Sequence, residues 1–464
     1  MLAGIVAAGG ARPSAVVLCA LVAFVPYGAL LWLPPAPGDP GVRLATWLAL
    51  AAGAVLVVAP PVLSDDVFRY LWDGRVLAHG ISPYRYAPHD PALAHLRDEL
   101  FGRVNNPEIA TIYPPLAQGL FAAADSVWHH PASLKVVALL AHLGSIRVVA
   151  RLAGENGPRA ALLYGLNPLA LVESALGGHV DAVAGLAVAG AVAALLSNRA
   201  LVAALLVGAA SGLKLIGIAL APLVALRDRR AAALAVLLAM LPVFPLLGAG
   251  GGVDGAGITH YTRRWRGNEG PFVVLEAVAA AVVSAAAADE PGAGPGQVRL
   301  PFLAPLVHSL DGTPLDLRAT LAAEKKAEPD PTAFHGEYLA ALLARALALA
   351  FVLGLAVFLV LGRVEPLVAA RWVLLTALLL APQVHPWYLL WLLPIEVASG
   401  GRAGIVWSAA VLVAYAPLDA WVAGRVWHEA PLARLVEYAL VVGVLTAEAL
   451  PVGKNGSATP VHVG

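Results

Sequence analysis

The sequence is short of charged residues, of cysteine and of any excess of one charge. Charged side chains make up 13% of its 464 residues, about half the share found in a soluble globular chain. The 30 basic and 30 acidic residues cancel, so the composition indicates neither a nucleic-acid partner nor a polybasic lipid-binding tail. The single Cys19 excludes a disulfide framework or a thiolate metal site within one chain. The 13 histidines show no HExxH spacing, which argues against a catalytic zinc ion.

Apolar residues are abundant instead. They make up 59% of the chain and recur in runs near the roughly 20 residues that cross a hydrocarbon core of about 30 Å. The sequence therefore predicts an all-α fold, a polytopic transmembrane bundle of about 11 to 13 spans. The first apolar run lacks a cleavage site and is taken as a retained helix. Candidate spans, good to a few residues at each end, are 14–33, 42–61, 134–152, 160–176, 180–197, 231–249, 337–361, 367–382, 386–399, 403–420 and 432–451.

The positions of arginines decide two further stretches. As one helix, 200–226 would carry Arg227 across the membrane from Arg199, so we predict two half-helices, 200–213 and 214–226, that line a cavity. A crossing at 113–127 would move further arginines outside, so that stretch is predicted to lie in the interface. These choices place on one face, the cytoplasmic one, Arg43, Arg147, Arg151, Arg159, Arg199, Arg227, Arg229, Arg230, Arg363, Arg371 and Arg402.

This topology divides the chain into membrane segments and two long outer loops. Within the second loop, 289–336 is a polar insertion without a recognisable motif. The predicted segments are 1–61 with the N-terminal helices, 62–133 as first outer loop with interfacial helices, 134–250 as bundle with the split helix near 213, 251–336 as second outer loop, 337–451 as C-terminal bundle and 452–464 as tail.

The stretch SDDVFRYLWDGR, residues 64–75, places acidic side chains where a membrane helix ends. Adjacent carboxylates point in different directions, so we predict that either Asp65 or Asp66 caps the following helix while the other faces a cavity. On that helix Asp66, Tyr70 and Asp73 share a face, which suits a hydroxyl-rich ligand. The alternative is that these charges sit at a helix end and reach water.

The second outer loop carries the opposite charge in HYTRRWRGNEG. Arg263, Arg264 and Arg266 break the inside-positive bias of the other loops, and an anion would explain them because guanidinium groups match phosphate oxygens bidentately. The alternatives are attraction to anionic lipid headgroups or ion pairing with the acidic 289–336 insertion.

Further polar groups are predicted on the same outer face. A central Asp, Lys or Arg at membrane depth costs about 2.5–3.5 kcal/mol, so such residues point to a site. For the aromatic residues an interfacial belt is the alternative, and for the histidine a structural role. The residues are Lys214 at the turn of the split helix, His179 with Asp181, and His385 followed by Trp387, Tyr388 and Trp391.

Six segments together resemble the polytopic GT-C glycosyltransferases, in particular the bacterial polyprenol-phosphate-mannose-dependent mannosyltransferases of glycosyltransferase family 87 and relatives. They are SDDVFRYLWDGRVLAHGISPYRY, YPPLAQ, LNPLALVESALGGHVDA, SGLKL, YTRRWRGNEG and HPWYLLWLLP. The similarity covers roughly 60–450 without the insertion. In the family an Asp precedes a Tyr by four residues in the first outer loop, which maps onto Asp66 and Tyr70, and Tyr84 matches a Pro-Tyr turn. Asp65 doubles the acidic position and leaves open which carboxylate is the base.

The resemblance implies an inverting transfer of a hexose, by family mannose, from a polyprenyl-phosphate-sugar to a lipid or glycan hydroxyl outside a bacterial inner membrane. Asp66 or Asp65 would be the general base. Arg263, Arg264, Arg266 and Lys214 would bind the donor phosphate. Sugar and acceptor would contact Tyr70, Asp73, Tyr84, His179, Asp181, His385 and Tyr388. No cofactor is expected, a divalent metal at Asp65 or Asp66 being the less favoured alternative, and the remaining partners are membrane lipids.

Three other functions stay open at this point. A polymerase or ligase acting on polyprenyl pyrophosphate would call for more cations or a metal. A transporter should show inverted repeats and a site near the midplane, whereas here the polar groups crowd one face. A structural subunit would need no clustered charges.

Overall fold

A computed structural model provides the structure of the protein. It describes residues 12–32, 38–247, 257, 266–287, 297–299, 333–424 and 430–449. The predictions on Arg263, Arg264, 452–464 and most of the 289–336 insertion lie outside those residues. The described regular structure is helical except for one short antiparallel pair, β1 (Gln297–Arg299) with β2 (Ala333–His335). The predicted all-α polytopic bundle is thereby confirmed.

The N-terminal half begins with two apolar helices and then two amphipathic ones. Prolines occupy the first turn of several helices, where the missing N–H costs nothing. The helices are α1 (Pro13–Ala29), α2 (Gly38–Val58), α3 (Asp66–Ala78), α4 (Pro115–Val127) and α5 (Pro131–Leu152), with 3₁₀ turns at Pro91–Leu96, Phe101–Arg103 and Gly154–Asn156.

The candidate span 160–176 is not one regular helix, because the chain breaks within it. Helix α6 (Gly157–Gly165) ends before Asn167, whose side chain accepts the N–H of Ala170 and starts the short α7 (Pro168–Leu171). A residue before proline leaves the helical conformation, and proline donates no backbone hydrogen bond. A π-helical turn, Val172–Leu176, follows directly.

The next two helices form a hairpin, and the predicted helix break follows the second of them. Helix α8 (Asp181–Leu196) is followed by α9 (Ala200–Lys214), which returns alongside it. Helix α9 ends at Leu215, whose φ of 54° is left-handed. The chain continues through α10 (Gly217–Leu220), a 3₁₀ turn (Ala221–Leu226), α11 (Arg229–Met240) and α12 (Val243–Leu247).

The C-terminal half contains one helix that the sequence analysis missed. Helix α13 (Phe272–Ala287) lies in the predicted second outer loop and packs with Phe272 and Val283 against Leu339 and Ala344 of α14 (Gly336–Leu361). The remaining helices are α15 (Pro366–Leu379), α16 (Leu389–Ala398), α17 (Ala403–Ala410), α18 (Leu418–Gly424) and α19 (Pro431–Ala449), with 3₁₀ turns at Pro386–Tyr388 and Val411–Tyr415.

Close helix packing positions the N-terminal ends of α8 and α16 side by side. Gly185 of α8 lies so near α16 that a Cβ atom would come within 2.2 Å of the Leu390 carbonyl oxygen. Within the described residues five helices are long and apolar enough to cross a membrane, and the other apolar helices are shorter or broken. They are Gly38–Val58, Pro131–Leu152, Arg229–Leu247, Leu339–Leu361 and Ala403–Gly424. The total number of spans stays a prediction.

Candidate active site

Helices α3 and α4 form a tightly packed pair that supports the acidic start of α3. Gly74 permits the approach, because a Cβ there would lie 2.5 Å from the Phe121 carbonyl carbon. Tyr70 stacks on Phe121 with ring centroids 4.4 Å apart and meets Tyr113 edge-on at 4.9 Å. Aromatic contacts of this kind stabilise beyond the area they bury, so the first turn of α3 is held in place.

A buried arginine ties the following loop to the same helix. Arg69, 4% exposed, donates to Asp73 at 2.9 Å, to the Asn106 carbonyl at 3.2 Å and to the Ile109 carbonyl at 2.9 Å. This places Asn105 above the start of α3.

Asn105 bridges the two adjacent carboxylates. Its Nδ2 donates to Oδ1 of Asp65 and to Oδ1 of Asp66, both at 2.8 Å, and the hydroxyl of Tyr70 donates to Asp66 Oδ2 at 3.4 Å. Asp65 is exposed, whereas the Asp66 side chain is 15% exposed. Asp66 is therefore the carboxylate that faces the protein interior.

The predicted helix cap was wrong. Asp65 precedes the first helical residue, yet its side chain accepts no capping hydrogen bond from the helix. Ser64 provides the capping hydrogen bond instead, since its Oγ accepts the Asp66 N–H at 3.2 Å. A hydroxyl already satisfies one free N–H of the helix start, so both carboxylates are left for other partners.

Asp73, which was predicted to share a cavity-lining face with Asp66, has its hydrogen-bond partners within the protein. Asp73 is 2% exposed, and its carboxylate accepts hydrogen bonds from Arg69, Thr111 and Gln118. Its oxygens accept hydrogen bonds within and beside the α3–α4 pair, and its contact with a sugar stays a prediction.

The hydroxyl group of Tyr84, like the carboxylate of Asp73, is hydrogen-bonded within the protein. Its hydroxyl donates to the Tyr113 carbonyl at 2.8 Å, and burial, followed by the charge of Asp73, raises the pKa of the Tyr84 phenol. It anchors the loop that leads into α4.

The segment between the π-helical turn and α8 brings a histidine to Asp66. His179, fully buried, lies with Nδ1 4.0 Å from Asp66 Oδ2 and with Nε2 3.3 Å from Glu173 Oε2. The other Glu173 oxygen accepts the hydroxyl proton of Tyr415 at 2.8 Å. A row of four polar side chains, Asp66, His179, Glu173 and Tyr415, thus leads from the start of α3 into the bundle.

Lys214 and Asp181 supply the adjoining ion pair. The ammonium group of Lys214, at the end of α9, lies 3.3 Å from Asp181 Oδ2 at the start of α8. It also lies 5.1 Å from the ring centre of Tyr113 and 5.7 Å from that of Tyr388, within the range of cation–π attraction. The pair joins the last residue of α9 to the first residue of α8.

The C-terminal half contributes an aromatic stack. The Trp387 ring lies between His179, at 4.1 Å, and His385, at 4.2 Å, and Tyr388 stacks on Trp391 at 4.5 Å. Burial, and then the charge of Lys214, lowers the pKa of His385 to about 3 and holds that of His179 well below its usual value. Both imidazoles are neutral near pH 7.

Arg266 is engaged elsewhere. Its guanidinium pairs with Glu269 at 2.9 Å and with Glu276 at 2.7 Å, and a phosphate there would have to displace these carboxylates. The backbone of the neighbouring Gly267 accepts the Val384 N–H at 3.1 Å, which docks this segment beside His385. Lys214, the other predicted phosphate-binding residue that the structure describes, lies instead beside Asp181 and Tyr113. A phosphate role stays a prediction for both Lys214 and Arg266.

Sequence reasoning missed several members of the cluster. Glu173 stood visibly as a charge inside the apolar run LNPLALVESALGG, which was signal enough to select it. Asn105 and Tyr415 carried no local signal, because their partners lie 40 and 242 residues away.

Two other features bear on possible ligands. Among the described residues no group of three or more His, Cys, Asp or Glu side chains is arranged to hold a metal ion. A cleft of about 740 Å³, bordered by Arg199, Arg227 and Arg230, lies at the opposite end of α8 and α9, one helix length of about 24 Å from Asp181. It is not part of the Asp66 cluster.

A comparison with protein families gives a match over the N-terminal part of the chain. Residues 4–228 match the model of the MptA/B family, described as Alpha-(1->6)-mannopyranosyltransferase, N-terminal domain. The matched stretch contains Asp66, Glu173, His179 and Lys214 and excludes His385. No curated protein and no solved structure matches the chain.

Fold and match together define the class of protein: the chain is a multi-pass helical membrane protein and a glycosyltransferase. Within this class, residues 4–228 are similar to the N-terminal domain of the MptA/B family of alpha-(1->6)-mannopyranosyltransferases. This confirms the resemblance to membrane mannosyltransferases, and it implies a sugar donor and a glycan or lipid acceptor.

Proposed function

We propose that the chain transfers a mannosyl group from polyprenyl-phosphate-mannose to a hydroxyl group of a lipid or glycan acceptor on the extracytoplasmic face. The observation that carries this proposal is the convergence of Asp66, His179, Asp181 and Lys214 from separate elements. A carboxylate able to take a proton lies near a cation able to neutralise a phosphate, in surroundings largely shielded from water.

In the proposed reaction, the acceptor oxygen attacks the anomeric carbon while the bond from that carbon to the phosphate oxygen breaks. Asp66 takes the hydroxyl proton, and polyprenyl phosphate leaves with the bonding electrons. Attack opposite the leaving group inverts the anomeric centre. A positioned general base contributes about 10²–10⁴-fold, and Lys214 would stabilise the charge developing on the phosphate. His385 and Tyr388 are proposed to contact the sugar.

The chemistry is tested with purified protein in nanodiscs, radiolabelled polyprenyl-phosphate-mannose and an acceptor lipid extract. We expect Asp66→Asn to lower the transfer rate by about 10²–10⁴-fold, because an amide cannot take the proton. Asp65→Asn is the matched control, since it changes the exposed neighbour that shares the Asn105 contact. A wild-type transfer rate in Asp66→Asn would show that Asp66 is not the general base. Transfer of labelled glucose as fast as mannose would refute the proposed specificity for mannose.

The proposed sidedness has a separate test. Cys19→Ala removes the natural thiol, after which Ser126→Cys and Ser197→Cys place single cysteines at exposed positions near opposite ends of the bundle. We expect a membrane-impermeant thiol reagent to label Ser126→Cys in intact cells and Ser197→Cys only after permeabilisation. The reverse pattern would place the Asp66 cluster in the cytoplasm.

A further inference from the structure

The cleft bordered by Arg199, Arg227 and Arg230 is formed by two neighbouring loops. Arg199 directly precedes α9, while Arg227 and Arg230 lie at the start of α11. The two helices pack closely, since a Cβ atom at Gly208 of α9 would lie 2.7 Å from the Cβ atom of Leu238 of α11. Both helices begin at the cleft, where the N–H groups of a helix start add partial positive charge to that of the arginines.

The three guanidinium groups are available to a ligand. All three side chains are exposed, and within the described residues Arg199 and Arg230 make no ion pair or side-chain hydrogen bond. Arg227 is oriented by its Nε, which donates to the Leu195 carbonyl at 2.7 Å. Among the described lining residues Asp228 is the one acid, and its Oδ1 accepts a backbone N–H of the first turn of α11 at 2.7 Å. Three positive charges thus face one negative charge that the helix already uses.

The cleft lies at the depth of the lipid headgroups. The helix Arg229–Leu247 is one of the described helices that are long and apolar enough to cross a membrane, so the arginines at its start lie near the membrane surface. Leu201 and Leu234 line the cleft beside them, and Leu201 is 59% exposed. One turn further along the same two helices, Leu205 and Leu237 are also exposed. A cationic cleft thus continues into an apolar surface, which is the arrangement that an amphiphile with an anionic head requires.

We propose that this cleft binds the headgroup of an anionic glycerophospholipid in the leaflet opposite the Asp66 cluster. The phosphodiester accepts hydrogen bonds from the guanidinium groups, and the acyl chains lie along Leu201 and Leu234. Basic pockets between membrane helices recognise anionic headgroups in this way, and a volume of about 740 Å³ is within the usual range of ligand sites. The excess of positive charge favours an anionic lipid over phosphatidylcholine, whose own ammonium group cancels its phosphate. The site lies one helix length from Asp181 and does not depend on the proposed reaction.

The site is tested on the full chain, purified and delipidated in detergent, by native mass spectrometry and thermal unfolding. Dioleoylphosphatidylglycerol, dioleoylphosphatidylcholine and sodium phosphate are added separately. We expect phosphatidylglycerol to bind saturably and to raise the melting temperature, because a ligand of the folded state stabilises it. The other two should bind about tenfold or more weakly. Phosphatidylcholine bound as tightly as phosphatidylglycerol would overturn the proposal, and sodium phosphate bound that tightly would show a soluble-anion site and refute a lipid ligand.

Removing the arginines should abolish the preference. Arg199→Gln/Arg227→Gln/Arg230→Gln is expected to lower the affinity for phosphatidylglycerol by about 10²-fold, because each basic residue near an anionic headgroup contributes a factor of about five. Arg227→Gln also removes the contact with the Leu195 carbonyl, so Arg199→Gln/Arg230→Gln is measured as well. Since these two side chains have no partner in the described part of the chain, the double variant should melt as wild type does and bind about 25-fold more weakly. Wild-type affinity in the folded double variant would refute the arginine site.

The matched control changes three exposed arginines elsewhere, as Arg43→Gln/Arg147→Gln/Arg151→Gln. They lie on α2 and α5, are predicted on the same membrane face as the cleft, and do not line it. The control removes the same charge and should keep the wild-type affinity and the preference for phosphatidylglycerol. Equal losses in the two triple variants would mean that the arginines act only through the overall charge of this membrane face, and the proposal of a defined site would be overturned.

Discussion

Asp66 and Asp73 lie two turns apart on one helix, and their surroundings differ sharply. Asp73 is buried and accepts hydrogen bonds from a guanidinium, a hydroxyl and an amide group, so its negative charge is stabilised by partners within the protein. Asp66 accepts one amide at 2.8 Å and a distant phenol at 3.4 Å, and it faces a neutral imidazole. A carboxylate saturated by fixed donors holds structure together, whereas one left short of donors beside a polar cluster is available to a ligand.

The same contrast separates two ion pairs in the bundle. Arg371 holds Glu396 through two hydrogen bonds of 2.8 and 3.0 Å and reaches Glu448 as well. Lys214 meets Asp181 through one 3.3 Å contact, and beyond it neither Asp181 oxygen has a hydrogen-bond partner in the part of the chain that the structure describes. The Arg371 cluster, whose carboxylates have their hydrogen bonds made, stabilises the fold. The Lys214–Asp181 pair has unused hydrogen-bonding capacity that a sugar or phosphate could take up.

The largest effect should come from breaking the saturated carboxylate. Asp73→Asn leaves the buried Arg69 without its counter-charge, and breaking such a pair costs about 3–5 kcal/mol of unfolding free energy. Asp66→Asn removes no comparable partner and should leave stability close to wild type. Thermal unfolding in detergent measures both variants. Equal destabilisation by the two changes would abolish the distinction between them.

Features that depend on local sequence patterns were predicted from the sequence. Long apolar runs with arginines at their ends define most helices, and the break after Lys214 follows from the arginine positions on both sides of it. Asp66, His179, Lys214 and His385 were found because each is a polar residue at the edge of an apolar run, and the structure brings them together.

What the sequence could not supply was the identity of distant partners. Helical periodicity put Asp73 on the face of Asp66, yet the donors that claim it come from Thr111 and Gln118, about 40 residues on. Helix α13 was missed because its polar surroundings masked a 16-residue apolar run. The break at Asn167 was readable from Pro168, whereas the π-helical turn that aims Glu173 depends on packing against other helices.

A smaller effect is expected from loosening the α3–α4 contact that orients Asp66. Gly74→Ala would set a Cβ atom 2.5 Å from the Phe121 backbone, and overpacking of this kind costs about 1–3 kcal/mol. Because the helices must separate, transfer activity should fall together with the melting temperature.

Gly119→Ala is the matched control for that contact. It lies on α4 with nothing within 4 Å of an added Cβ, so it should stabilise by up to about 1 kcal/mol through helix propensity alone. Gly74→Ala with wild-type stability and activity would show that Asp66 does not depend on this packing.

The smallest effect concerns the neutral histidines of the unsaturated cluster and appears only in acid. Burial, then Lys214, lowers the pKa of His385 to about 3, below its unfolded value of about 6.5. Between these values the unfolded chain binds a proton that the folded one refuses, so stability present above pH 6.5 is lost as the pH falls. At pH 5.5 the loss from this partly buried ring is at most about 1.4 kcal/mol.

His385→Gln should therefore reduce the drop in melting temperature between pH 7.5 and 5.5, because glutamine has no proton to bind. His95→Gln is the control, because it replaces an exposed histidine in the same way and so measures the effect of removing a histidine outside the cluster. An unchanged drop in His385→Gln would mean that the folded protein protonates this ring as readily as the unfolded chain does. His385 would then add a positive charge beside Lys214 only below about pH 6.5, and the neutral aromatic stack described for pH 7 would not persist in acid.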